Sequence, residues 1–453
     1  MKTMAFVKGL VWAMLFGATL SVSGQDVDGW AARFAESLEN GQQMRFDDAV
    51  LRKKLKPGDV PEVRAQVWAA WRQANERFAE RKLPSAEPLS DKARGWLVLP
   101  DSLEPDARMD FFWGQKGADS TAGQLPVFLY LHGSGPRDAE WATGLKLAQM
   151  FDDAPSLYFI PRIPNEKEYY RWWQRSKQWA WKWLLRQVFL QKEVDPRRLY
   201  VFGISEGGYG SQRLASFYAD YWAAAGPMAG GEPLKNAPVE NCGNIGFSFL
   251  TGVDDGGFYR NELTALTAAA FDSLQSANPG KYVHRIELIP GRGHGIDYRP
   301  TTPWLKSFVR NPWPRDFVWE DFEMDGWHRD GFYNLLVDRR PCDSLRTRYE
   351  VAVSEDNVVD IQVRNVRYRT VRRDSVWGIE LEFTKELLPA SGGELTLFLD
   401  EHLVDLRKKV TVRINGKQVF RGRPSCSVGS MMRSLSAFYD PERIYPVELT
   451  LHY

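Results

Sequence analysis

At 453 residues the chain is too long for one ordinary domain. Its 43% hydrophobic and 26% charged residues describe a globular protein, and 59 Lys plus Arg against 58 Asp plus Glu exclude a net field aimed at nucleic acid or anionic lipid. Three cysteines exclude a disulfide scaffold, and without CxxC, HExxH or paired-His spacing neither a metal site nor a cofactor has support.

The N-terminus, "MKTMAFVKGLVWAMLFGATLSVSGQ", sets two lysines ahead of an apolar run and then small residues. That layout predicts a signal peptide over residues 1–24, with an apolar run short of the ~20 residues a bilayer span needs. No cysteine follows it for lipidation, so the expected location is periplasmic or secreted, with no integral membrane span. Export would allow Cys342 to pair with Cys426 and leave Cys242 free, although three pairings stay open.

Residues 25–93 read as a helical extension, because "DGWAARFAESLEN" and "VPEVRAQVWAAWRQANERFAERKL" repeat apolar residues at three- and four-residue spacing. It either caps the site or packs on the sheet. From 94 to 314, short apolar runs alternate with helical stretches. The strand candidates are "LPVFLYLH", "LYFIPRI", "RLYVFGI", "WAAAGPMA", "IGFSFLTG" and "YVHRIELIP", separated by stretches such as "RWWQRSKQWAWKWLLRQVFLQ" and "NELTALTAAAFDSLQSA". This α/β pattern predicts a mostly parallel sheet with helices on both faces. Residues 315–453 change texture: "RYEVAVS", "VVDIQVRNVRYRTV" and "VTVRINGKQVFRG" alternate apolar and polar, with "NG" marking a hairpin. They predict a separate antiparallel, sandwich-like β domain.

Within the α/β stretch, "RLYVFGISEGGYG" runs a buried strand into a serine fenced by Gly203, Gly207, Gly208 and Gly210. A serine on such a strand-to-helix elbow is presented as a nucleophile, and the helix that follows aims N–H groups at developing negative charge. A hydroxyl needs a base, and there are six histidines. His132 precedes the elbow, His284 lies inside a strand, and His328, His402 and His452 fall in the β domain. His294, in "IPGRGHGIDY", remains, in a loop at the end of a strand where sheet enzymes put working residues. The acid is expected in "FLTGVDDGGFYR", as Asp255 in preference to Asp254, giving the chain order Ser205, Asp255, His294. The strand "VFLYLHGSGP" ends in a glycine-bearing loop whose Ser134 amide could join that of Glu206 in an oxyanion hole.

Residues 94–310 resemble the α/β-hydrolases, in particular the branch of esterases, polyhydroxybutyrate-depolymerase-like and prolyl-oligopeptidase-like enzymes. "LHGSG", "GISEGGYG", "GVDDGGFYRNE" and "PGRGHG" carry the resemblance, over about half the chain. It implies a serine hydrolase working through an acyl-enzyme, with Ser205 as nucleophile, His294 as general acid/base, Asp255 orienting the imidazole, and the Ser134 and Glu206 amides holding the oxyanion. Glu206 departs from the Met, Gln or Ala more usual there. In "EYYRWWQRSKQWAWKW", Trp172, Trp173 and Trp179 could form a stacking platform for a sugar or aromatic acyl group, or pack into the core.

The leading expectation is an exported carboxylic-ester hydrolase acting on a small-molecule or glycan-linked ester, with a serine peptidase on the same core as the alternative. A non-catalytic glycan-binding protein, using aromatics of "VWEDFEMDGWHRDGFYNL" in the β domain, is the third.

Overall fold

A computed structural model describes residues 24–40, 54–78, 82–117 and 123–453. The signal-peptide expectation therefore lies outside the described residues, apart from the backbone of Gly24. Two helices come first, α1 (Gly24–Asn40) and α2 (Val60–Glu76), packed on each other through Phe34 and Trp71.

The central sheet is built from β1 (Arg94–Val98), β2 (Arg108–Lys116), β3 (Leu125–Leu131), β4 (Ser156–Pro161), β5 (Val194–Ile204), β6 (Ala224–Met228), β7 (Gly246–Gly252) and β8 (His284–Ile289). Its order is β8-β7-β6-β5-β3-β4-β2-β1, with the two-residue strand Glu87–Pro88 also on β2. Neighbours from β4 to β8 all pair in parallel, whereas β2 runs antiparallel to β1 and β4. Every residue of β3, β4, β6 and β7 is buried, because helices α3 (Arg137–Met150), α4 (Arg175–Val188), α5 (Glu206–Phe217), α6 (Arg260–Ala277) and the short α7 (Thr301–Leu305) cover the sheet. The side chains of β3 split by parity. Val127, Leu129 and Leu131 enter one core, while Phe128 and Tyr130 enter the other.

The remainder is strand-rich: β9 (Asp316–Asp321), β10 (Leu335–Arg339), β11 (Arg346–Val353), β12 (Val358–Arg373), β13 (Glu380–Pro389), β14 (Glu394–Leu399), β15 (Val410–Ile414), β16 (Lys417–Gly422) and β17 (Val447–His452). A six-stranded sheet runs β9-β11-β12-β15-β16, with β13 on β12, and a four-stranded one runs from Gly331–Phe332 through β10 and β14 to β17. Asn415 and Gly416 both take positive φ, as the predicted hairpin turn requires. Two features depart from the antiparallel expectation: β12 pairs with β15 in parallel, and a helix, α8 (Val428–Phe438), precedes the last strand.

The N-terminal helices pack on this C-terminal region. Trp71 stacks on Tyr439 at 6.0 Å, and Arg64 Nε donates to the Ile444 carbonyl at 3.1 Å. All three cysteines are free thiols, so the Cys342–Cys426 bridge is not formed. Among the described residues no helix is long and apolar enough to cross a membrane.

Candidate active site

β5 ends at Ile204, and the chain turns at Ser205 (φ 57°, ψ −114°) straight into α5. That conformation costs a residue bearing a Cβ on the order of 1–3 kcal/mol and persists only where its surroundings dictate it. Here the glycines dictate it. A Cβ at Gly203 would strike the Gly207 carbonyl, one at Gly207 the Leu131 carbonyl of β3, and one at Gly208 the Met228 carbonyl of β6. The first turn of α5 is thereby pressed onto two strands, and the Ser205 N–H donates to Met228 O at 3.0 Å.

The loops after β7 and β8 are packed backbone to backbone. A Cβ on Gly252 would collide with the carbonyls of Arg292 and Gly293, and the Asp254 N–H donates to Arg292 O at 2.8 Å. This brings the three predicted side chains together. His294 Nε2 lies 3.0 Å from Ser205 Oγ, and its Nδ1 lies 2.8 Å from Asp255 Oδ2. Asp254 is exposed; Asp255 is the buried one that faces the ring. The contacts suit a neutral imidazole whose Nδ1–H donates to the carboxylate and whose Nε2 accepts from the serine hydroxyl.

Sequence reasoning missed Arg260. It opens α6 and forks onto the other oxygen of Asp255, Nε at 2.9 Å and Nη2 at 2.6 Å. Burial alone would raise the Asp255 carboxyl, but hydrogen bonds from Arg260 and His294 hold it below its ordinary range. Nothing in "GGFYRNE" marks this arginine, because the pairing depends on how the loop folds back.

The loop after β3 is fixed by His132, which sequence reasoning set aside. Burial pushes its imidazole down to about 4, so it is neutral. Its Nδ1–H donates to Gly133 O at 2.8 Å, and its Nε2 accepts the Ile163 N–H at 3.2 Å. The Tyr170 hydroxyl also donates to Gly133 O, at 2.8 Å. Ser134, Ser205 and Glu206 then line one cavity of about 680 Å³. Glu206 is the first residue of α5, where an N–H has no intrahelical acceptor. Its side chain is buried, with Oε1 lacking a hydrogen-bond partner and Arg171 Nη1 3.6 Å away.

Two expectations about aromatics need correcting. Trp172 is fully buried between the β3 loop and α5, its Nε1 donating to His132 O at 2.9 Å and its Cβ close against Gly210, so it is core and not platform. Trp179 also packs on the core, half-buried. Trp173 does line the cavity, with the Arg213 guanidinium 4.1 Å over its ring. In "VWEDFEMDGWHRDGFYNL", Trp319, Phe322, Phe332 and Tyr333 are buried rather than exposed and belong to the large core shared with the central sheet, while Trp327 is half-buried under Arg175 and Lys182.

Among the described residues, Asp400, Glu401 and His402 are the group whose ligand atoms could converge on a metal, within 4.8 Å of one another. They are already partnered, His402 with Asp400 at 3.0 Å and Glu401 with Arg64 at 2.7 and 2.9 Å. A separate cavity of about 720 Å³ beside them has, among the described residues, no serine or cysteine in its lining.

No family model and no curated protein matches the chain. Solved structures do. A thermostable esterase shares 18% identity over 48% of this chain and 64% of its own, with a TM-score of 0.37. The BES protein from Bacillus cereus shares 12% over 51% of this chain and 100% of its own, at 0.38. The esterase Est2 of Thermogutta terrifontis shares 14% over 45% and 85%, at 0.36. The match thus spans under two thirds of the thermostable esterase. Identity and superposition are both low, so the chemistry of the site rests on its own geometry.

Proposed function

We propose that this chain is an exported serine hydrolase that cleaves carboxylic esters, acyl groups on glycans among them, with residues 94–314 as its catalytic unit. Ser205 Oγ attacks the carbonyl carbon while His294 Nε2 takes its proton, and Asp255 holds the imidazole and balances the imidazolium charge. The N–H groups of Ser134 and Glu206 receive the oxyanion. His294 hands its proton to the departing alcohol, leaving the acyl group on Ser205. A water then attacks and gives a proton to His294, and Oγ recovers that proton as the acid leaves.

The observation that carries this reading is the 3.0 Å contact of His294 with a serine held at positive φ. A merely structural serine needs neither. Export rests on the pattern of residues 1–24 alone. The test is fluorophosphonate labelling with mapping of the modified residue, alongside p-nitrophenyl acetate turnover. Ser205 should carry the label, and Ser205→Ala should abolish both signals. A label elsewhere, or none on folded protein, sinks the assignment.

A serine peptidase is the second reading, favoured by Glu206 Oε1, which makes no hydrogen bond at the cavity wall and has Arg171 3.6 Å away. A buried carboxylate there would suit a free amino terminus. Turnover of aminoacyl-p-nitroanilides in preference to p-nitrophenyl acetate would select it.

A further inference from the structure

The cleft above Ser205 has a wall that the central sheet does not make. β12 and β13 form a long antiparallel hairpin, and Arg373, Trp377, Gly378 and Glu380 around its turn line the same cavity as Ser205. The turn is built. The Asp374 carboxylate accepts the N–H groups of Val376 and Trp377, Gly378 N–H donates to Asp374 O at 3.1 Å, and Gly378 takes φ 69°. It is also docked. The Tyr259 hydroxyl donates to Asp374 at 3.0 Å, Arg372 bridges Glu262 and Glu382, and Lys235 pairs with Glu380 at 2.8 Å. Tyr259 and Glu262 belong to the segment that follows Asp255, so the hairpin tip is tied to the acid loop itself.

On this mount Trp377 stands 60% exposed, and Phe258 facing it is 44% exposed, with the rings 4.7 Å apart. Phe258 and its neighbour Tyr259 both take positive φ, a conformation uncommon for aromatic residues. Strain and exposed apolar area together mark a surface kept for a ligand. We infer that Trp377, backed by Phe258, is a specificity-determining residue that stacks on a hydroxylated six-membered ring of the ester substrate, deepening the hydrolase reading on which it rests. An indole face suits a pyranose or a phenolic ring, and Arg373 and Glu380 beside it can meet the ring's hydroxyls.

The experiment compares wild type with Trp377→Ala and Trp377→Phe on three esters: vinyl acetate, which has no ring, an acetylated xylo-oligosaccharide and methyl 4-hydroxycinnamate. Trp377→Ala should lower kcat/KM about tenfold, mainly through KM, on at least one ring substrate. Vinyl acetate turnover and the fluorophosphonate labelling rate should stay within about twofold, and Trp377→Phe should restore most of the loss. Which ring substrate responds tells sugar from phenol. Three results overturn the inference: unchanged kinetics on both ring esters, an equal loss on vinyl acetate, or a wild type that turns over neither ring ester. The last with normal labelling leaves a hydrolase without this subsite. If wild type takes no label, the hydrolase reading has failed, and quenching of tryptophan fluorescence by xylohexaose, lost in Trp377→Ala, decides the subsite by itself.

Discussion

The carboxyl of Glu206 lies one residue from Ser205, buried, with Arg171 close enough to attract it but not to hydrogen-bond it. Burial raises it to about 7, against the opposing pull of Arg171. It therefore ionises within the ordinary working range, beside the amide proposed to receive the oxyanion. A negative charge there opposes a second one in the transition state, so neutralising it should help most where it is ionised. Glu206→Gln should leave kcat nearly unchanged at pH 5.5 and raise it about three- to tenfold relative to wild type at pH 8.5. Stability gives an independent readout. The folded value lies above the unfolded one, so the folded state binds the extra proton. Stability is therefore greatest below about 4.5, falls as pH rises toward about 7, and is flat beyond. Glu206→Gln lacks that loss, which is at most about 3 kcal/mol. Its melting temperature should exceed that of wild type increasingly from pH 5 to about pH 7 and by a constant margin above that. A gap that stays constant with pH would mean Glu206 is solvated or paired throughout. Arg260 works in the opposite sense, keeping Asp255 ionised next to His294.

At the level of elements, the elbow is held by contacts between backbones, and one methyl group tests it. In Gly207→Ala the new Cβ would meet the Leu131 carbonyl of β3, which is central in the sheet and cannot withdraw. Either α5 lifts off or Ser205 leaves its strained conformation, so the variant should lose fluorophosphonate labelling by at least about a hundredfold, with about 3 kcal/mol or more of stability. Wild-type labelling in the alanine variant would show that the strand contact is not a constraint. The same contacts explain what the sequence revealed. Glycines that permit close approach stand out as letters, and so do the mostly buried apolar strands β3 to β7. β8 is only half-buried but carries an apolar run of its own, so these strands and the three residues at their ends could be read. β1, β2 and α3 could not. β2 carries "MDFFWG" without apolar–polar alternation, although Pro105-Asp106 and Gly117 flank it, and α3 buries only Trp141, Gly144, Leu145 and Ala148 beneath an otherwise polar sequence. Arg260 and Tyr170 were equally hidden, and so was the placement over the cleft of Trp377, a residue that reads in the sequence as part of a carbohydrate-binding surface or of the β-domain core. Each acts through a fold-dependent neighbour, and spacing along the chain carries no trace of that.

Across the whole molecule, one core runs from Trp30 in α1 through one face of the central sheet to Leu451 in β17. The texture change near residue 315 marks where strand type changes, while packing continues through it. A buried ionic cluster crosses the same point. Asp220, just after α5, takes Arg329 and Arg443 from the C-terminal region, Nη1 of Arg443 at 2.6 Å, and Asp440 joins Arg443 at 2.8 Å to Arg310 at 2.7 Å. Burial opposes the Asp220 charge, but Arg329 and Arg443 hold the carboxyl below its ordinary range. A group of this kind stabilises the fold above its unfolded value near 3.8 and loses that contribution as pH falls through its lower folded value. Asp220→Asn keeps the volume but leaves the buried Arg329 guanidinium without its carboxylate, while Arg443 keeps Asp440. Breaking such a pair costs about 3–5 kcal/mol, so the variant should unfold at markedly lower denaturant at pH 7. The loss should appear in a single transition followed both by Ser205 labelling and by total fluorescence, because both halves share the core. Two separate transitions, with labelling surviving the first, would mean that the central sheet stands without its C-terminal partner and that the cluster merely decorates their contact.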